Sequence, residues 1–211
     1  MLALARVWRV AITWFLVEPA VALLAVAVGI GRLVDGVEGY GSYAEFVAPG
    51  LIVGTAMFHA IFECSWSVFS RIQDDVYETL LTAPVTVAEI ALAELCFAVT
   101  RALISTVAVG AFAAALGWIP LASLPGLLLV SVGVGVVFGA IGLMFAATSP
   151  TVHALSLVFT VIASPLFFFS GAFFPIRVLP EWLQPIAWAA PLAPLVAIAR
   201  GFTSGSLGGT E

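Results

Sequence analysis

The sequence predicts an all-α fold, a polytopic transmembrane helical bundle, on three observations. Hydrophobic residues make up 63% of the 211 and charged residues 9%, where an ordinary soluble domain carries about 25% charged residues. So few charges cannot cover a water-facing surface. Apolar runs of about 20 residues, enough for a helix to cross roughly 30 Å of hydrocarbon, recur five times. Charges and Pro/Gly clusters fall mainly between these runs.

The first span is placed at 15–34. Arg6 and Arg9 precede it in the manner of a signal peptide, yet Glu18 and Pro19 come early and no small-residue cleavage site precedes Arg32. A retained span is expected. The stretch DGVEGYGSY (35–43) reads as a short loop. The second span is 46–69, closed by the charged stretch from Arg71 to Glu78. The third is placed at 90–118, although Glu94 and Arg101 fall inside its apolar pattern; Trp118 and Pro120 mark an interface and a turn. The fourth, 124–147, carries Gly133, Gly135, Gly139 and Gly142, the small residues that let membrane helices approach closely. The fifth is 152–174, with Pro165 positioned to kink it.

Beyond Phe174, Pro175, Pro180, Pro185, Pro191 and Pro194 break the apolar pattern, so no helix of spanning length is expected over 175–201. Short amphipathic pieces at or dipping into the interface are expected instead, anchored by Trp182 and Trp188. The whole chain, 1–211, reads as one transmembrane domain. The arginine distribution slightly favours a cytoplasmic N-terminus, with Arg6, Arg9 and Arg71 inside and Arg32 and Arg177 outside. The loop between the second and third spans then faces the cytoplasm.

Several function classes are excluded. All seven basic residues are arginine and the net charge is −5, so no basic nucleic-acid footprint exists. A nucleotide-binding P-loop needs a lysine, and there is none. His59 and His153 have no serine or carboxylate pattern of a catalytic or metal site, and no enzyme chemistry is expected in this chain. Cys64 and Cys96 lie in apolar stretches and read as packed thiols.

The candidates for function are ionisable residues at membrane depth, which are costly enough to suggest a role. His59 and Glu63 stand four apart on one helical face, and Glu94 and Arg101 seven apart on another. Each pair reads either as a lock between helices or as a protonation site on a substrate path. For Arg101, neutralising Glu63 or Glu94 across a helix interface is the expected role. Phe167, Phe168, Phe169, Phe173 and Phe174 fit either a lipid-like pathway or lipid-facing packing. The most informative stretch runs from Arg71 to Leu95. It reads as a charged break, then a short amphipathic helix with Val76, Leu80 and Leu81 on one side and Asp74, Asp75 and Glu78 elsewhere, then a proline stop. Thr86, with Glu89 three residues on, follows as an N-cap. Such a loop reads either as a handle for another protein or as an ordinary solvated loop.

YAEFVAPGLIVGTAM (Tyr43 to Met57) and DDVYETLLTAPVTVAEIALAEL (Asp74 to Leu95) resemble the permease subunits of type-2 ABC exporters, nearest the branch that exports lipo-oligosaccharide nodulation signals. Polysaccharide and drug exporters are relatives of that branch. FFPIRVLPEWLQPIAWAAPLAPLVAIARG (Phe173 to Gly201) is similar to that family's extracellular re-entrant hairpin. The resemblance implies a permease of the bacterial inner membrane that forms a homodimer in the lipid bilayer and docks ABC ATPase subunits. Docking would use a coupling helix at 71–84, with Arg71, Asp74, Asp75, Tyr77, Glu78, Leu80 and Leu81 as coupling residues and Glu78 foremost. ATP and magnesium would belong to the partner, leaving no cofactor here. The family pattern also calls for a sixth span after Gly201, which this sequence does not contain. The expected activity is outward movement of an amphipathic, lipo-oligosaccharide or polysaccharide type of substrate. The alternatives are a hydrophobic drug exporter, a proton-coupled secondary transporter using His59, Glu63, Glu94 or Arg101, and a membrane scaffold that only recruits a partner.

Overall fold

Four helices dominate the computed structural model, which describes residues 17–33, 37 and 40–205; among these residues every regular element is helical. In chain order they are α1 (Glu18–Ile30), α2 (Tyr43–Gln73), α3 (Val76–Leu80), α4 (Val87–Ala115), α5 (Leu121–Thr148), α6 (Val152–Phe169), α7 (Gln184–Ala189) and α8 (Leu192–Ser204). Helices α2, α4, α5 and α6 are long and apolar enough to cross a membrane, and α1 and α8 are shorter apolar helices. The chain is therefore an all-α membrane bundle. The expected first span meets α1, while Phe15, Leu16 and Val34 lie outside the described residues.

Local chemistry sets the helix ends, and it moves several of them from the boundaries that hydropathy suggests. Ser42 accepts a hydrogen bond from the Glu45 amide at 3.3 Å while the Glu45 carboxylate accepts from the Gly41 amide at 3.2 Å. This reciprocal cap starts α2 at Tyr43, ahead of Phe46. At its far end α2 runs on to Gln73, and Asp75 then takes a left-handed φ of 54° that turns the chain into α3. Thr86 and Glu89 form a full capping box, so α4 begins at Val87 and includes Glu89 and Glu94. Gly117, at φ 75°, follows the end of α4. Gly171, at φ 80°, turns the chain just after α6, which therefore stops at Phe169 and not at Phe174.

Helix α2 is the axis of the bundle: Val47, Ala48, Ile52, Val53, Ala56, Met57 and Ala60 are all fully buried. Close approach is permitted by the α5 glycines. A Cβ on Gly135 would fall 2.6 Å from Val99 Cα of α4, and one on Gly142 would fall 2.9 Å from both Cys64 Cβ and the Ile61 carbonyl of α2. A π-helical turn over Glu63–Ser67 interrupts α2 where it meets Gly142, and such turns are frequent at functional positions.

The proline-broken segment folds as short pieces. A 3₁₀ turn at Ile176–Val178 and α7 join α8 through a small cluster of Ile176, Ala187 and Ala193. Leu195 lies against Gly133 and Phe202 against Gly126, so α8 runs antiparallel to α5. Trp182 and Trp188 are exposed.

Candidate functional site

Charge is concentrated at one end of the bundle, where α2, α3 and α4 meet. Glu63 sits in the π turn of α2 and is 3% exposed. Arg101 of α4 reaches it with Nη2 at 2.6 Å from Oε2, and Arg71, in the last turn of α2, approaches the other oxygen with Nη2 at 3.8 Å. Arg71 Nη1 also donates to Glu94 Oε1 of α4. That same oxygen accepts the hydroxyl of Tyr77, from α3, at 2.8 Å. The carbonyl of Glu94 accepts from Cys64 Sγ at 3.6 Å. Two carboxylates and two arginines thus form a continuous chain linking α2 to α4, and Tyr77 extends it to α3.

The electrostatic logic is strict. Both carboxylates are buried, Glu94 at 8% exposure, whereas the two arginines keep about a third of their side chains exposed. A buried carboxylate needs a partner, since an uncompensated charge in a low-dielectric interior costs several kcal/mol. Here the arginines supply it while their long stems remain partly open to the surroundings.

Tyr77 has a second contact. Its ring packs on a cluster of Val68, Phe69, Ala146 and Leu155, drawn from α2, α5 and α6. Burial, and after it the hydrogen bond to Glu94, push its phenol up to about 12. The other expected coupling residues, Asp74, Asp75, Glu78, Leu80 and Leu81, are exposed. The expected coupling set and the expected intramembrane set therefore meet at Arg71, Tyr77 and Glu94. His59 is half-buried one turn before Glu63. Cys64 is packed as expected, but Cys96 is exposed. Among the described residues no three of His, Cys, Asp and Glu stand close enough to hold a metal ion.

Sequence reasoning gave no role to Arg200, yet it ties down the opposite end of the molecule. It is 3% exposed in α8. Its Nε donates to the Phe46 carbonyl at 3.3 Å, its Nη2 donates to the carbonyls of Gly171 and Ala172, and its guanidinium lies 3.8 Å from the Phe46 ring centroid. Pro49 removes a rung from the ladder in this part of α2, and the Phe46 carbonyl beside that gap is the one Arg200 takes. Tyr43 adds a hydrogen bond to the Phe173 carbonyl at 3.0 Å. The available signal was the position of Arg200 alone in the apolar run LVAIAR. Of the phenylalanines, Phe167 meets Phe58 of α2 with ring centroids 5.2 Å apart, while Phe168 and Phe169 are exposed.

Comparison with known proteins agrees with this architecture. The chain is 31% identical over 192 residues to nodulation protein J of Rhizobium meliloti, covering 90% of this chain and 73% of that protein. It is 32% identical over 186 residues to nodulation protein J of Rhizobium leguminosarum bv. viciae, covering 88% and 71%. It is 29% identical over 179 residues to the inner membrane transport permease YadH of Escherichia coli, covering 85% and 68%. No solved structure matches. The sequence model described as ABC-2 type transporter matches residues 1–202, and with these relatives it establishes that the chain belongs to the ABC-2 type transporter family as a multi-pass membrane permease.

Proposed function

We propose that this permease works as a homodimer in a bacterial inner membrane and, driven by a separate ABC ATPase, exports an amphipathic substrate of the lipo-oligosaccharide type. The observation that carries the reading is α3. It is a five-residue helix that exposes Glu78 and Leu80, with Leu81 exposed just after it, while Tyr77 reaches Glu94. Exposed acid and leucine side chains on a short, tethered helix suit a docking contact with a soluble subunit. ATP and magnesium then reside on that subunit. Similarity to nodulation protein J, taken with the resemblance to the branch that exports lipo-oligosaccharide nodulation signals, supports a lipid-linked saccharide over a purely hydrophobic drug. The proline-broken segment serves as an extracellular re-entrant hairpin, supported by the antiparallel course of α8 along α5. Proton-coupled transport is the weaker reading, because Glu63 and Glu94 are both engaged in ion pairs.

The test is reconstitution of the chain with a co-purifying ATPase in proteoliposomes, using a labelled lipo-oligosaccharide. Substrate should stimulate ATP hydrolysis and accumulate on the far side. Glu78→Lys should insert normally yet uncouple hydrolysis from export. Transport unchanged by that reversal, or transport driven by a proton gradient with no ATPase present, would overturn the reading.

A further inference from the structure

We propose that the Tyr77 hydroxyl is the latch that positions the cytoplasmic helix α3 on the bundle, transmitting displacement of that helix to the ion pairs between α2 and α4. This rests on the exporter reading and deepens it by naming the positioning residue through which the docking helix acts. A helix as short as α3 has no stability of its own, since isolated helices below about 12 residues are marginal. Its place is therefore decided by tethers. Val76, Glu78, Thr79 and Leu80 are exposed, and Tyr77 alone in α3 is partly buried. Its ring sits on the cluster of Val68, Phe69, Ala146 and Leu155, a contact that tolerates sliding because apolar packing has no direction. Its hydroxyl does not tolerate sliding, because a hydrogen bond to a carboxylate is directional and charge-assisted.

The acceptor makes the contact consequential. Glu94 Oε1 takes both the Tyr77 hydroxyl and Arg71 Nη1, and Arg71 also approaches Glu63, which Arg101 holds. Drawing α3 away from the bundle removes one of the two donors on that oxygen and loads the pair that remains. The chain then leads from α3 into α4 at Glu94 and at Arg101, seven residues further along that helix. Polar side chains with discrete partners switch between arrangements and do not deform continuously, which is the property a transmission element requires.

Tyr77→Phe keeps the ring and deletes only the hydroxyl. Two readouts are needed, and the first uses the solubilised permease alone. Hydrogen exchange of the α3 amides should accelerate about tenfold in Tyr77→Phe, while Thr79→Val, whose hydroxyl bonds only within its own turn to Asp75, should match the wild type. The second uses proteoliposomes containing the ATPase: Tyr77→Phe should bind the ATPase as the wild type does yet hydrolyse several-fold more ATP per substrate exported. Loss of ring packing alone would lower yield or melting temperature without changing that ratio. Unaltered α3 exchange, or altered exchange with an unaltered ratio, would overturn the latch. A wild-type chain that binds no ATPase would overturn the exporter reading instead, and the exchange measurement would still judge the tether.

Discussion

Arg101 Nη2 lies 2.6 Å from Glu63 Oε2, so the carboxylate buried in the π turn of α2 is neutralised from α4. The consequence is a bundle whose buried acids Glu63 and Glu94 are each answered by an arginine from the other helix: Glu63 from Arg101 and Glu94 from Arg71. Arg101→Met should therefore cost about 3 kcal/mol, because it leaves Glu63 buried with weaker compensation. Glu63→Leu combined with Arg101→Met should recover most of that loss. Thermal unfolding of the four proteins of this cycle in one detergent checks it, and strictly additive effects would rule out the pairing.

Arg200 holds three backbone carbonyls and a ring with one fork-shaped group, a geometry that lysine cannot copy. Arg200→Lys is expected to lose about 2 kcal/mol and to free the chain after α6. Limited proteolysis between Gly171 and Pro191 should accelerate in that variant. An unchanged cleavage rate would show that the clamp does not hold this segment.

The glycines divide by what surrounds them. Gly135→Ala forces a methyl to within 2.6 Å of Val99 Cα and should cost about 1–3 kcal/mol by prising α5 from α4. Gly29 in α1 faces open space, and Gly29→Ala should gain up to about 1 kcal/mol. Equal melting temperatures for the two variants would refute the close packing of α5 on α4.

Tyr77 makes a pH prediction. Its phenol is raised from 10.0 to about 12, mainly by burial and then by the Glu94 carboxylate, so folding favours the protonated form. That contribution is complete below the unfolded value of about 10 and is lost as pH climbs towards 12. The difference in ultraviolet titration between the wild type and Tyr77→Phe should show a midpoint near 12. A midpoint near 10 would mean that the hydroxyl is open to solvent.

Much of the fold was legible in the residues because its causes are local. Five prolines within 175–194 forbid a long helix wherever they are placed, and α7 and α8 are accordingly short. Thr86 and Glu89 need only each other to make the capping box. The break between the long second and third apolar runs does hold a short helix, α3, but it spans only Val76–Leu80 of the expected 71–84, Arg71 belongs to α2, and Val76, Leu80 and Leu81 are all exposed. The limits of α2, α4 and α6 were less legible, since hydropathy marks membrane depth while hydrogen bonds and left-handed turns at Asp75 and Gly171 mark where a helix stops.

Membrane residence and the identity of the charged residues in the bundle follow from composition and spacing alone. A spacing of seven shows that Glu94 and Arg101 share a face of α4, but it says nothing about what faces them. That depends on how α2 and α4 are each rotated against α5 and how deep they sit, which is set by the contact of Gly142 with Cys64 and of Gly135 with Val99. Only the packed bundle therefore separates Arg101 from Glu94, gives it to Glu63, and brings Tyr77 from a loop to the acid that Arg101 left. The helical period constrains a helix's own faces, while partners are chosen by side-chain shape between helices, and shape is a property of the whole assembly.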